Sequence, residues 1–458
     1  MADSFLLFLF FCVFFSEDIS FFLALLFLVH PINVESVAYI GSTQSELYFL
    51  PGITALLLSQ KKALSRLRLL WIIGLLLFSI FTKETGFLFV ILILLYRALF
   101  KLGELKKFAF LTGLIAVFYI LLRILYGGVT FADPTSIPIV ALPLTYRLLN
   151  IPSIILFYIK TFFFPSTLLI WQLWVIKTAS WTNFLLPLVV CILFFGLLAY
   201  IGYLLYKKEN SLYKKLPFIT YVFFFTWFTI GIGMLLQIIP LDMTVADRWF
   251  YFPIVGLLGM IGITLTAFLP SIKINRSTYI FAAAFLLCIL GTRTFIRTFD
   301  YKDNITLYRH DIKGANESVI GLTAYGVELF NAGKIEEGCT LIQHAVDLSQ
   351  TADDMTELGN CNQANKQYDD AISAYTRALE IYNSESVHRG PGLVIYLNIA
   401  HTLIAADRPQ EAIDFINNKA LKRYPENQQL LQLLNDADSE MNFNKNTFQN
   451  TLPNTHIL

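Results

Sequence analysis

The sequence predicts an all-α protein in two parts: a polytopic transmembrane helix bundle over 1–299 and an α-solenoid of helical repeats over 319–435. Three observations carry this. The 458 residues are 56% hydrophobic with 42 Phe and only 15% charged, against about 25% charged in an ordinary soluble domain. Residues 1–299 hold 22 Lys and Arg against 11 Asp and Glu, and the remainder holds 12 against 22. The formal net charge of +1 thus hides a basic apolar part and an acidic polar one. Segments of similar sequence recur only in the acidic part. This division excludes a single globular core and a disordered chain.

A helix crosses a bilayer with about 20 apolar residues. Hydropathy and length place candidate spans at 20–33, 44–60, 68–82, 85–100, 107–126, 184–206, 216–238, 250–269 and 277–295. The apolar run 5–15 has no basic flank, only Asp3, and reads as the stump of a spanning helix rather than a signal peptide. Loop cations set orientation. Lys61, Lys62, Arg66 and Arg68 form one cluster, and Arg97, Lys101, Lys106 and Lys107 a second. Lys207, Lys208, Lys214 and Lys215 form a third, and Lys273 with Arg276 a fourth. All are expected to be cytoplasmic. Two crossings must then separate Lys107 from Lys207, so the stretch of about 145–170 does not cross as one pass. Its Arg147, Asn150, Pro152 and Lys160 suit a re-entrant or interfacial helix on the outer face, with Trp171, Trp174 and Trp181 as an interface belt. Outer loops fall at 30–43, 83–86, 127–183 and 239–249. The expected locale is a bacterial plasma membrane or its equivalent, with the C-terminal part extracytoplasmic.

After a linker at 300–318, YGVELFNAGKIEEGCTLIQHA (325–345) aligns with LGNCNQANKQYDDAISAYTRA (358–378) and IAHTLIAADRPQEAIDFINNKA (399–420). Small residues recur at Gly326, Gly359 and Ala400, then at Gly338, Ala371 and Ala412. The second series is spaced by 33 and 41, which puts an insertion around 384–392. The pattern resembles about three tetratricopeptide repeats, helix pairs of roughly 34 residues with small residues at their crossing. Such repeats imply a concave surface for a protein or peptide partner; the plainer role is a cap or dimer contact. The Asn- and Thr-rich tail, 436–458, is expected to be disordered. Of five Cys, 12, 191 and 288 lie in apolar runs; Cys339 and Cys361 leave a disulfide open if the repeats face an oxidising compartment. Six scattered His form no ligand pair, so no metal site is expected. No phosphate loop or basic aromatic stripe supports nucleic-acid binding.

Ionisable residues at the ends of apolar spans are functional candidates. HPINVESV carries His30, Pro31 and Glu35, where Pro31 ends a helix and Glu35 could accept a proton or hold a hydroxyl. FTKETG carries Lys83 and Glu84, and the lysine suits a phosphate. VADRWFYFP carries Asp247, Arg248 and Tyr251, a guanidinium among aromatics that suits a lipid phosphate. Arg147 and Lys160 make a fourth group. Each has a plainer reading: a solvated loop acid, a surface ion pair with a helix cap, an aromatic anchor, or cations reaching headgroups. All four are expected on one membrane face, where cations with carboxylates suit a lipid-linked phosphate leaving group.

In order and spacing, HPINVESVAYI, FTKETG, RLLN…YIKTFFFP and ADRWFYFP, followed by the repeats, resemble the family of transmembrane and tetratricopeptide-repeat-containing proteins. These belong to the GT-C glycosyltransferase superfamily, with the protein O-mannosyltransferases. The resemblance spans about 20–430. It implies a GT-C-like bundle and a polyprenyl-phosphate sugar donor. The sugar, mannose in the O-mannosylating relatives, would pass to Ser or Thr of a protein on the outer face. It also implies a phosphate-binding role for Arg248, extended to Lys83 and Lys160. Glu35, Glu84 and Asp247 come as members of matching motifs only. Two departures stand out. Relatives carry an acidic pair in an outer loop upstream of this start, which suggests a truncated chain; Glu17 and Asp18 lie on the cytoplasmic side and cannot replace it. Many relatives also carry an Arg after the HP…E segment, around STQSE (42–46), where this chain has Thr43 and Gln44. The alternative reading is a catalytically inactive membrane-anchored scaffold that binds partners through its repeats.

Overall fold

The computed structural model describes residues 1–127, 137–208, 216–271, 275–314, 318–384 and 392–451. Lys214, Lys215, Lys273, nearly all of the insertion at 384–392 and the last seven tail residues lie outside them. Every described regular element is helical. The chain divides into two compact units, Met1–Asp303 and Asn304–Leu458.

Among the described residues of the first unit, five helices are long and apolar enough to cross a membrane: Leu105–Tyr126, Trp181–Lys208, Leu216–Gly233, Pro253–Ser271 and Arg276–Asp300. Leu216–Gly233 and Pro253–Ser271 form the centre. Pro253–Phe268 packs through glycines; a Cβ on Gly256 would lie 2.7 Å from the Phe224 carbonyl oxygen and 2.8 Å from the Phe228 Cα. Only hydrogen fits there, so the two backbones meet directly. Around them Phe10, Phe11, Phe224 and Trp227 form a buried aromatic core. Arg276–Asp300 instead turns Phe281, Phe285, Phe295 and Phe299 outward, leaving an exposed apolar face.

Four expected spans are the helices Glu17–Val29, Gln44–Ser59, Arg66–Thr82 and Phe87–Leu99, of 13, 16, 17 and 13 residues, each under the roughly 20 that cross a bilayer. Glu17–Val29 and Pro31–Ala38 form a bent pair at 52°. The expected re-entrant stretch begins as a 20-residue helix, Leu144–Phe163, with Pro152 inside it. Arg97, counted among the loop cations, is fully buried. Its guanidinium donates to the carbonyls of Ser59 (2.6 Å), Lys61 (3.2 Å) and Gly103, so it caps a turn instead of meeting solvent. Arg276 pairs with Asp18 at 2.9 Å, at the opposite end of Glu17–Val29 from His30.

In the second unit the region expected as a linker holds a helix, Asn304–Gly314, with Leu307 and Asp311 buried. Only a few apolar residues line one face of it, so its helical period is weak in the sequence. Helix pairs follow: Val319–Asn331 with Ile335–Leu348, Tyr368–Ser384 with Ala352–Ala364, and Gly392–Ala405 with Pro409–Phe415. Each pair turns on a left-handed residue at the same place: Gly333 (φ 82°), Lys366 (φ 60°) and Asp407 (φ 59°). The amide one residue further on donates to a carbonyl of the last turn, Lys334 to Leu329, Gln367 to Asn362 and Arg408 to Leu403, at 2.8–3.0 Å. This closure satisfies helix-end carbonyls. The small residues sit where expected: a Cβ on Gly326 would lie 2.8 Å from the Gly338 carbonyl oxygen, and Ala371, Ala400 and Ala412 are fully buried. Cys339 and Cys361 form a disulfide, Cα atoms 5.6 Å apart, between helices of successive repeats. A last helix, Gln428–Thr451, occupies most of the segment expected to be disordered; Leu430 and Ala437 anchor its first half in the core.

Candidate functional site

His30 and Pro31 end the helix Glu17–Val29, because proline disfavours helical backbone in the residue before it. The His30 ring is used locally. Nδ1 accepts from the Ile32 amide at 3.2 Å, which leaves Nε2–H to donate to the Phe162 carbonyl at 2.9 Å, and the ring stacks on Phe162. Asn33 donates to the Phe27 carbonyl at 2.7 Å. The turn so held presents Glu35, which is 2% exposed.

Glu35 meets Arg248 from 213 residues away. One carboxylate oxygen accepts from Arg248 Nη1 at 2.5 Å and the other from the Arg248 amide at 3.0 Å. Ser36 Oγ donates to the Arg248 carbonyl at 3.4 Å. Asp242 Oδ2 lies 3.5 Å from Arg248 Nη2, and the guanidinium stands 5.8 Å from the Trp249 ring centre. Burial pulls the Arg248 pKa down, but Glu35 and Asp242 outweigh it and leave it raised. This arginine stays charged.

Lys83 lies at the end of Arg66–Thr82, where Ser79 Oγ ties the last turn to the Tyr48 carbonyl at 2.7 Å. Its ammonium is 3.3 Å from Ser45 Oγ and 5.7 Å from the Tyr48 ring centre. Burial and then the Arg248 charge lower its pKa to about 8, against the opposing pull of Asp242, Glu35 and Glu84. Lys83 and Arg248 line one cavity of about 250 Å³, with Gln44, Tyr48, Glu84 and Asp242. A second cavity of about 530 Å³ shares Gln44, Lys83 and Glu84 and is walled by Phe81, Tyr119, Leu122 and Tyr126. There Glu84 accepts from Arg123 at 3.1 Å and from Tyr119 at 3.4 Å.

Three of the four expected groups therefore converge, and the fourth does not. Arg147 Nη1 donates to the carbonyls of Gln237 (3.3 Å) and Ile238 (3.1 Å). Lys160 is exposed and lines neither cavity. Asp247 is buried, 2% exposed, and lines neither cavity; its charge acts on Arg293. Tyr251 donates to Asp3 at 2.7 Å, deep among Phe27 and Phe49. Residues the sequence reading passed over are Asp242, Arg123 and Tyr48. Asp242 was open to notice as the one carboxylate of the outer loop 239–249 besides Asp247. Gln44 lines both cavities. Among the described residues no cluster of His, Cys, Asp and Glu could hold a metal ion.

Residues 351–426 match the tetratricopeptide repeat family, over the second and third helix pairs. No curated protein sequence matches the chain. A chain of the crystal structure of the APC/C hetero-tetramer Cut9-Hcn1 aligns with 92% of this chain and 89% of its own, at 13% identity and a TM-score of 0.28. A likeness at that score carries no argument. The chain thus carries tetratricopeptide repeats, in a protein whose first unit is built of apolar helices.

Proposed function

We propose that the first unit is a membrane glycosyltransferase of GT-C type. It moves a sugar from a polyprenyl-phosphate donor to a Ser or Thr hydroxyl of a protein on the extracytoplasmic face. The observation that carries this reading is the cavity shared by Lys83 and Arg248. Two cations from distant segments are held together, at the cost of a depressed lysine pKa, in a site that gains most from an incoming anion. A phosphate oxygen beside both would restore the lysine charge and stabilise the charge developing as the sugar departs. Motif order supports the donor class, and the Cys339–Cys361 disulfide supports an oxidising, extracytoplasmic home for the repeats. The repeats then serve as the surface for a protein acceptor or partner.

The test is binding of radiolabelled polyprenyl-phosphate mannose to the purified chain in nanodiscs. Arg248→Ala is expected to weaken binding on the order of 100-fold, as loss of a buried charged contact does. Wild-type protein that neither binds nor turns over the donor overturns the reading. It would favour the scaffold alternative, which the repeat match supports on its own.

A further inference from the structure

We propose that the first unit carries a second anion site, at the helix ends opposite the Lys83 cavity, and that it holds the headgroup of an anionic phospholipid. The inference goes beyond the transferase reading and rests only on its membrane part, a first unit lying in a bilayer.

Two loops build the surface. One joins Gln44–Ser59 to Arg66–Thr82, and the other joins Phe87–Leu99 to Leu105–Tyr126. The far ends of these four helices carry or adjoin Gln44, Lys83, Glu84 and Tyr119, which line the cavities described above. The first loop and the turn after it hold Lys61, Lys62, Arg66 and Arg68, and the second holds Lys101, Lys106 and Lys107. This is the end where the loop cations are expected to be cytoplasmic.

The buried guanidinium of Arg97 joins the two loops. Nη1 donates to the carbonyls of Ser59 (2.6 Å) and Lys61 (3.2 Å), and Nη2 to those of Lys62 (3.4 Å) and Gly103. Lys101 (φ 51°) and Glu104 (φ 64°) fold the second loop back in the left-handed conformation that disfavours residues with a side chain. A Cβ on Gly103 would lie 3.9 Å from the Lys62 carbonyl oxygen. The chain thus accepts backbone strain to bring two basic loops side by side.

Little within the protein balances this charge. Glu104 is the only acid in residues 60–68 and 100–107. Among the described residues it is the only carboxylate in ion-pair range of the seven cations. It lies 4.0 Å from Lys107, with both side chains well exposed, so the pair is weak. Arg66 and Arg68 stand in the first turn of one helix, Lys106 and Lys107 in the first turn of another, and neither turn carries an acid. A helix N-terminus already bears partial positive charge, so cations there oppose the macrodipole, and an incoming anion relieves both. Membrane orientation calls for cations on this side. It does not call for their gathering at two helix starts around one buried arginine.

Exposed apolar side chains decide the kind of anion. Leu67, Leu70 and Trp71 are exposed and follow Arg66 along one face of its helix, away from the buried Ile72 and Leu76. A soluble phosphate would leave this face in water. A phospholipid covers it with glycerol backbone and acyl chain while its phosphate meets the cations, and tryptophan is at home at that depth.

The experiment uses the purified full chain in detergent micelles, titrated with cardiolipin, phosphatidylglycerol or phosphatidylcholine and read by native mass spectrometry. Wild type is expected to hold the two anionic lipids at least about tenfold more tightly than phosphatidylcholine. The triple variant Lys62→Gln, Lys101→Gln, Lys106→Gln is expected to bind them on the order of 100-fold more weakly, with phosphatidylcholine unchanged. A control triple, Lys419→Gln, Lys422→Gln, Arg423→Gln, removes equal charge from the exposed surface of the second unit and is expected to change neither. Anionic lipid binding that survives the first triple, or falls equally in the control, overturns the site. Glycerol phosphate that competes as well as the intact lipid overturns the lipid assignment. Failure of the wild type to bind polyprenyl-phosphate mannose would defeat the transferase reading and leave this titration intact. A chain that stays soluble without detergent defeats the membrane reading, and this site with it.

Discussion

The two units solve the same problem, burying helices, by opposite means. In Asn304–Leu458 each helix meets its neighbours in sequence. Val319–Asn331 closes on Ile335–Leu348, Ala352–Ala364 on Tyr368–Ser384, and polar side chains link adjacent repeats, as Asn398 does to Asn360 at 3.1 Å. In Met1–Asp303 the decisive contacts join distant segments: His30 with Phe162, Ser79 with Tyr48, Glu35 with Arg248 and Asp3 with Tyr251. A solenoid's stability is nearly a sum of repeat and neighbour terms. A bundle that gathers charges from far apart concentrates its dependence in a few buried pairs. The comparison predicts where each unit is fragile.

The largest effect is expected at Glu35. Glu35→Ala leaves Arg248 buried beside the Lys83 charge, with the exposed Asp242 carboxylate as its remaining salt-bridge partner among the described residues. Breaking a buried pair by removing one partner costs about 3–5 kcal/mol, read as a lower thermal midpoint of the first unit in detergent. By contrast Glu411→Ala, which removes the exposed Arg408–Glu411 pair of the repeats, should leave the repeat melt unchanged. Equal shifts would erase the contrast.

Next comes the disulfide, the one long-lived tie in the repeats that is not a neighbour packing term. Replacing Cys339 and Cys361 by Ser removes closure of a 22-residue separation and should cost the second unit about 3 kcal/mol. Denaturant midpoints of the oxidised chain and the double variant check this.

The third effect is on binding. Lys83 carries a pKa of about 8, lowered by burial and then by Arg248. Phosphate binding favours its charged form, so donor affinity should hold below pH 8 and fall by about tenfold per pH unit above it. The sign for stability is the reverse. A lysine whose folded pKa is lowered holds fewer protons folded than unfolded, so raising the pH from about 8 toward 10.5 removes its destabilising charge. Lys83→Met should flatten the binding profile, measured across pH 6–9.5.

The smallest effect sharpens the picture of the repeats. Gly333 supplies the left-handed turn residue in the first pair, but Lys366 and Asp407 adopt the same conformation with side chains. Lys366→Gly should change the stability of the second unit by at most about 1 kcal/mol, the strain relieved being offset by added chain entropy.

The repeats were legible because their signals are local. Gly326 with Gly338, Ala371 and Ala412 mark crossings within one pair of helices, and the spacing of 33 and 41 recurs in the turn residues 333, 366 and 407. Asn304–Gly314 was less so, since a short amphipathic helix with few apolar positions resembles a linker. In the first unit His30–Pro31, Lys83–Glu84 and Arg248 could be singled out as polar residues at the ends of apolar runs. Their partners could not. Arg97 has the composition of a loop cation, and nothing nearby in the chain announces the carbonyls that enclose it. Asp247 and Arg248 are adjacent, yet only the second lines the cavity.

Sequence alone determined most of the helical stretches, though not Asn304–Gly314 or Gln428–Thr451, where the apolar part gives way to the acidic repeats, and which ionic groups are costly enough to matter. These follow from period, composition and the expense of charge in apolar surroundings, all readable over a few turns. Tertiary structure alone decided that Glu35 holds Arg248, that Lys83 shares its cavity, and that Arg147 and Lys160 stand apart. The geometry between groups some 40 to 210 residues apart is set by how helices pack. No short-range pattern records on which side of a helix a distant partner will arrive.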